Sequence, residues 1–294
     1  MSETPATVVA DGHFLEAPRW HDGRIWFSDF YGYRVSSAKE DGSDLRVEAE
    51  VPGQPSGLGW LPDGRLLIVS MTDRRVLRRE PDGALVTHGD LSSYATGHAN
   101  DMSVDAQGRA YVGNFGFDLM AGAPIEPASL HRVDLGGTVT QVADDLWFPN
   151  GSVITPDGVL LVVETFGDRV SAFDLTEDGR LINRRVWAEF APLPADRSLE
   201  VVLPALTVAG DGACLDAEGG LWIADATGER VVRVIEGGTI TDEIRPGTPV
   251  YACGLGGADG RTLYICAAPD FHDQARKAAT EGRLLAVRVD VPGA

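Results

Sequence analysis

Glu16, Ser56, Asn100, Asn150 and Asp211 hold one recurring place in the sequence, and Ala252 holds it in a sixth copy. They lie in "EAPRW", "SGLGW", "HANDMSV", "FPNGSV", "GDGACL" and "YACGLG", each a few residues ahead of a glycine turn. Five of the six carry side-chain oxygen, two as carboxylates. Oxygen donors of this kind suit a hard cation such as calcium, magnesium or manganese, and two carboxylates would balance a divalent charge. An ion held by a few protein oxygens keeps positions open for water and for a substrate carbonyl, so hydrolysis of an ester or lactone is the natural chemistry. The competing reading is a ring of solvated polar residues in a water-filled channel. The two separate electrostatically: carboxylates that converge in a confined mouth without a cation repel, which raises at least one pKa.

Residues so far apart in the chain meet only if a repeated element brings them together. Six similar segments do repeat: "HDGRIWFSD", "PDGRLLIVS", "AQGRAYVGN", "PDGVLLVVE", "AEGGLWIAD" and "ADGRTLYIC". Their glycines, Gly23, Gly64, Gly108, Gly158, Gly219 and Gly260, mark a long-period repeat architecture. In each unit an apolar stretch enters a Gly or Asp-Gly turn and leaves as an alternating strand, which is a hairpin pattern. No stretch has a convincing 3.6-residue apolar period. The expected fold is all-β, a six-bladed β-propeller of four-stranded antiparallel blades spanning residues 1–294 as a single domain. The strand "ATVVAD" near the N-terminus is expected to complete the last blade, whose final segment "GRLLAVRVDV" leaves it one strand short. Two stacked β-sandwiches are the competing fold, and no linker interrupts the repeats to favour them. Equivalent positions near the inner-strand starts then converge at one mouth of the central channel.

Composition narrows the partners. The 294 residues carry 44 acidic and 25 basic side chains, a formal charge of -19, which is wrong for a nucleic-acid-binding face. No run of about 18 apolar residues is present to span a bilayer. The start, "MSETPATVVADG", has no basic or hydrophobic leader character, so the expected compartment is the cytoplasm. Cys214, Cys253 and Cys266 show no CxxC spacing and read as small buried hydrophobes. No GxSxG elbow, phosphate-binding loop or HExxH is present.

Taken together, "EAPRW", "ATGHANDMSVDAQGRAYVGNFG", "FPNGSVITPDG" and "GDGACLDAEGGLWIAD" resemble the segments of the senescence marker protein/gluconolactonase (regucalcin-like) family of six-bladed propellers, over about residues 14 to 290. The resemblance implies that Glu16, Asn150 and Asp211 are metal ligands and that Asn100 contacts substrate or a metal-bound water. It also implies a divalent cofactor, calcium first, with zinc, manganese or magnesium as alternatives, and a small lactone or ester as substrate. Two departures bear on specificity. Sugar lactonases of this family often have arginine where this chain has His98, and the loop "GNFGFDLMAGAP" lacks their acidic substrate contact.

Three side chains compete as general base: Asp211 through an oxygen not on the metal, Asp101, and His98, whose ordinary pKa of about 6.5 suits neutral pH. The long connections 114–129, 190–210 and 268–282 are expected on the metal-bearing face. Phe30, Tyr31, Trp147 and Phe148 are candidate apolar walls, with Asn100 and His98 as polar substrate contacts. The alternatives to a metal-dependent lactonase are an esterase of another substrate class, a metal- or ligand-binding propeller without turnover, and a protein-interaction platform. Residue types alone do not fix the oligomeric state.

Overall fold

The computed structural model describes residues 5–294; residues 1–4, which belong to the expected 1–294 domain and to the reading of the N-terminus, lie outside the described residues. The chain forms six four-stranded antiparallel sheets. Five use consecutive strands, and the sixth is completed by Thr7–Gly12, which pairs antiparallel with Gly282–Arg288. This is the expected six-bladed propeller with its ring closed by the N-terminal strand. Closure gives the last strand a partner in place of an open edge.

The six inner strands are Leu15–His21, Pro55–Trp60, Ala99–Val104, Pro149–Ile154, Gly210–Leu215 and Val250–Gly256. Each touches the inner strands of both neighbouring blades, closing a ring around the channel. Two glycines show how closely they pack. A Cβ added at Gly151 would stand 2.5 Å from the Ala213 nitrogen, and one at Gly212 would stand 2.7 Å from the Ala252 Cα. The glycine after Asn150 and the glycine after Asp211 therefore serve close backbone approach between blades.

Every inner strand is irregular near its start. Pairing shifts between Pro55 and Leu58, Ala99 and Met102, Pro149 and Ser152, and Gly210 and Ala213, with related shifts in the first and sixth blades. An extra residue there kinks the strand and re-aims its side chains. The pairing also corrects the sixth ring position. Val250 pairs with Ala267 as Gly210 pairs with Asp225, so the residue equivalent to Asp211 is Tyr251, not Ala252. The sixth hairpin has one more residue ahead of Gly260, and counting back from that glycine lands one place late.

Apolar packing lies mainly between and within blades. Trp222, Tyr111 and Tyr264 are almost wholly buried, and Trp20 stacks on Tyr264 across the first and last blades at 6.0 Å. Removing such large apolar faces from water favours the packed state. The three long connections hold short helices where the sequence pattern gave none: Leu119–Ala121, Leu199–Val202 followed by Leu203–Ala205, and Asp273–Ala278. Among the described residues no helix is long and apolar enough to cross a membrane.

Candidate active site

Three buried acids set the backbone just ahead of the three expected metal ligands. Asp29 accepts hydrogen bonds from the amides of His13 (3.1 Å) and Phe14 (3.2 Å), just before Glu16, and from that of Gly32 (3.0 Å) in the turn after its own strand. Glu164 accepts the amide of Trp147 at 2.8 Å, three residues before Asn150, and is gripped by Arg169 at 2.9 Å. Asp225 accepts the amides of Ala209 and Gly228 at 3.0 and 3.1 Å, and pairs with Arg230 at 2.8 Å. Each acid ends the second strand of its blade and is at most 1% exposed. These residues escape a search for chemistry, yet the signal was present in the repeats, which end in "FSD", "VVE" and "IAD".

Glu16 and Asp211 keep some exposed area but are enclosed by protein. Burial pushes the Glu16 carboxyl well above the ordinary carboxylate range, and the negative charges of Asp211 and Asp101 push it further. Burial likewise raises Asp211, with Asp101 adding to the effect, while hydrogen bonds from Asn150 and the Gly212 amide offset part of it. The Asn150 amide nitrogen also donates to Thr165 Oγ1 (3.2 Å), whose hydroxyl donates to the Gly210 carbonyl (2.6 Å). That chain fixes the Asn150 amide and leaves its oxygen as an acceptor. Asn100 is 7% exposed, and its Nδ2 has no hydrogen-bond partner. Tyr251, the sixth ring member, has its hydroxyl pKa raised by burial first, then by Asp211, Asp270 and Glu16.

Asp101 is engaged differently. Arg19 Nη2 lies 2.7 and 2.8 Å from its two carboxylate oxygens, and the Met102 amide donates to Oδ1 at 2.8 Å. A carboxylate held in this fork is committed to an ion pair. Beyond it a cavity of about 530 Å³ opens at the other mouth, lined in part by Arg19, Trp60, Val104, Ser152 and Leu255. His98 Nδ1 is buried without a partner, and its ring lies 5.5 Å from that of Phe115. Burial lowers the His98 pKa, with Arg74 adding to the fall and Asp118 opposing it, so the ring is neutral at neutral pH.

The aromatic candidates fall into two groups. Phe148 stacks on Phe115 at 4.5 Å and meets Phe166 edge-on at 5.2 Å; it is 5% exposed and belongs mainly to packing. Phe30 and Tyr31 meet edge-on at 4.6 Å, beside Phe14, which lies 4.7 Å from Tyr251. The Tyr31 hydroxyl donates to the Phe271 carbonyl at 3.4 Å, so it tethers the 268–281 connection. Trp147 lies beneath the Arg197 guanidinium at 4.6 Å.

Among the described residues no three His, Cys, Asp or Glu side chains are arranged to hold an ion. Any cation at this mouth would draw on two carboxylates and on amide oxygens. The donor set fits a hard divalent ion: all oxygen, two acids whose pKa values are raised by burial and by neighbouring negative charge, and an amide whose nitrogen is already engaged.

Fold and site together define a six-bladed propeller with an acid- and amide-lined mouth. The chain belongs to the SMP-30/Gluconolactonase/LRE-like region family, which it matches over residues 14–269. It is 31% identical over 199 residues to a 6-deoxy-6-sulfogluconolactonase of Pseudomonas putida, an alignment covering 66% of this chain and 62% of that relative. It is 24% identical to regucalcin of Danio rerio, with 86% of this chain and 82% of the relative covered. The crystal structure of a calcium-binding protein, regucalcin from Agrobacterium tumefaciens, superposes with a TM-score of 0.78 at 21% identity, over 99% of this chain and 95% of that one.

Proposed function

We propose that this protein is a divalent-metal-dependent lactonase that opens a small cyclic ester with water. The observation that carries this reading is the pair Glu16 and Asp211. Both are enclosed acids, raised by burial and by acidic neighbours, and neither has an ion-pair partner among the described residues. A divalent cation would supply the missing positive charge. The family and the lactonase relative support lactone hydrolysis as the reaction, and the calcium-binding structural neighbour supports calcium as the ion.

Glu16, Asp211 and Asn150 Oδ1 would hold the cation. Once bound, it would polarise the lactone carbonyl and acidify a water molecule. Asn100 Nδ2, buried and unpartnered, donates a hydrogen bond to a substrate oxygen. Asp211 accepts the proton of the attacking water; the ring C–O bond breaks, and the departing oxygen takes that proton back as the hydroxy acid forms. His98 is the second candidate for this proton transfer, since its neutral ring has an unpartnered Nδ1. Arg19 takes Asp101 out of that role by holding both of its oxygens. With His98 where sugar lactonases of this family often carry arginine, and phenylalanines packed nearby, the substrate is a lactone with an apolar side rather than a fully hydroxylated sugar.

Chelator-treated protein should lose hydrolysis of a panel of lactones and linear esters, and calcium or manganese should restore it. Turnover that survives thorough ion removal would reject this mechanism.

A further inference from the structure

The connection between the fourth and fifth blades, residues 190–209, leads directly into the strand bearing Asp211 and lies on the face where the inner strands begin. Its apolar side packs down: Leu199, Val202, Leu203 and Leu206 join the cluster that holds Phe117, Phe148 and Phe166. Both ends of this segment are fastened to one residue. The Asp168 carbonyl accepts the Phe190 amide at 3.0 Å, while its carboxylate accepts the amides of Thr207 (Oδ2, 3.0 Å) and Val208 (Oδ1, 3.0 Å). Arg230 grips the same place from the other side, donating to the Thr207 carbonyl at 3.1 Å.

Asp168 is wholly buried and left-handed, with φ 47°, a conformation in which Asp and Asn are the least strained residues after glycine. Burying a carboxylate is costly unless its oxygens are satisfied, and here the donors come from the foot of the connection: the Thr207 and Val208 amides and the Thr207 side chain. From Thr207 to Asp211 the chain is therefore fixed, since Asp225 holds Ala209. Between Phe190 and Thr207 its attachments are apolar contacts and the stacking of Arg197 on Trp147.

We propose that residues 190–206 form a lid over the metal mouth and that Asp168 is its positioning residue, pinning both hinges so that the lid closes onto bound substrate in one register. This rests on the lactonase reading, because the lid's purpose is to cover that site. Asp168 does not touch the reacting atoms; it acts through the lid.

The test uses two variants of the full chain. Asp168→Asn keeps the left-handed backbone but replaces one acceptor oxygen with a donor. Thr207→Pro deletes both the amide and the hydroxyl that Thr207 offers Asp168 while leaving Asp168 itself in place, and Leu206, at φ -64° and ψ 132°, already has the conformation required before proline. Limited proteolysis with thermolysin under native conditions should cut within residues 190–206 at least about tenfold faster in both variants, the effect of losing one charge-assisted hydrogen bond or more. Cleavage elsewhere should stay at the wild-type rate, and KM for the best lactone should rise several-fold with kcat within about twofold. Wild-type cleavage within the segment and unchanged KM would overturn the proposal, as would faster cleavage spread over the whole chain, which marks a merely structural role. Wild-type protein that turns over no lactone would instead sink the lactonase reading, and the cleavage pattern would still judge the hinge.

Discussion

Glu16 and Asp211 are enclosed beside further negative charge, and the hydrogen bonds and the Arg19 charge near them offset only part of that cost. Without an ion, removing one negative charge should relieve repulsion: Glu16→Gln is expected to melt at or above the wild-type temperature in chelator, yet to lose most of the stabilisation that millimolar calcium gives wild type. Paired thermal melts with and without calcium check this. An Asp211→Asn variant should lose about 10²–10³ in kcat, the scale expected when a group stabilising the reacting centre is removed; steady-state rates on the lactone panel measure it.

Another residue sets acid sensitivity. His131 is 1% exposed, neither ring nitrogen has a partner, and burial lowers its pKa to about 4. Above about pH 6.5 neither the folded nor the unfolded chain protonates it, so it has no effect on stability there. As pH falls below that value the unfolded chain takes up the proton first, and stability drops, by roughly 3 kcal/mol at pH 4. His131→Leu should remove that loss; urea melts at pH 7 and 4.5 should show the variant gaining on wild type only at the lower pH, and parallel curves would refute it. The ring oxygens were legible in the sequence because their side-chain chemistry repeats at a nearly constant offset from a glycine turn, one residue shorter for Glu16. Tyr251 was not, since one extra residue in the sixth hairpin shifts the count, and only strand pairing reveals it. The Arg19–Asp101 fork was also hidden: its partners stand 82 residues apart on different blades.

At the scale of elements, the bulged start of the inner strand and the acid ending its neighbour form one device in the first, fourth and fifth blades. The bulge turns a side chain toward the channel, and the acid holds the approach segment by its amides. Blade number, hairpin turns and the closing strand could be read from Asp-Gly turns and period-2 alternation, which are local. The acid anchors act through backbone amides on other segments, so their role stays hidden until the chain is folded. Gly151→Ala tests the closeness of the inner strands. Its methyl would lie 2.5 Å from the Ala213 nitrogen and 2.6 Å from the Asp211 carbonyl oxygen, neither at the end of a flexible side chain. A loss of about 1–3 kcal/mol in denaturant melts is expected, with a fall in calcium affinity because Asn150 and Asp211 flank the contact. Unchanged stability would show that the strands have room to part.

For the whole molecule, closure decides whether six mouth positions share one centre. The strand Thr7–Gly12 supplies the last blade's outer edge, and the first blade is joined to it by the turn leading to Glu16. Deleting residues 1–12 should therefore cost stability and weaken ion binding together, which a melt and a calcium titration can follow. The charge of -19 spreads over this closed surface and adds to the negative potential at the mouth, favouring cation entry.

The most direct test of the account is anomalous diffraction from crystals of this protein grown with manganese. A bound ion should give a single strong peak at the channel mouth, within about 2.0–2.6 Å of carboxylate oxygens of Glu16 and Asp211 and of Asn150 Oδ1. Well-ordered side chains at those three positions with no anomalous peak between them, at manganese concentrations that saturate ordinary oxygen sites, would contradict it.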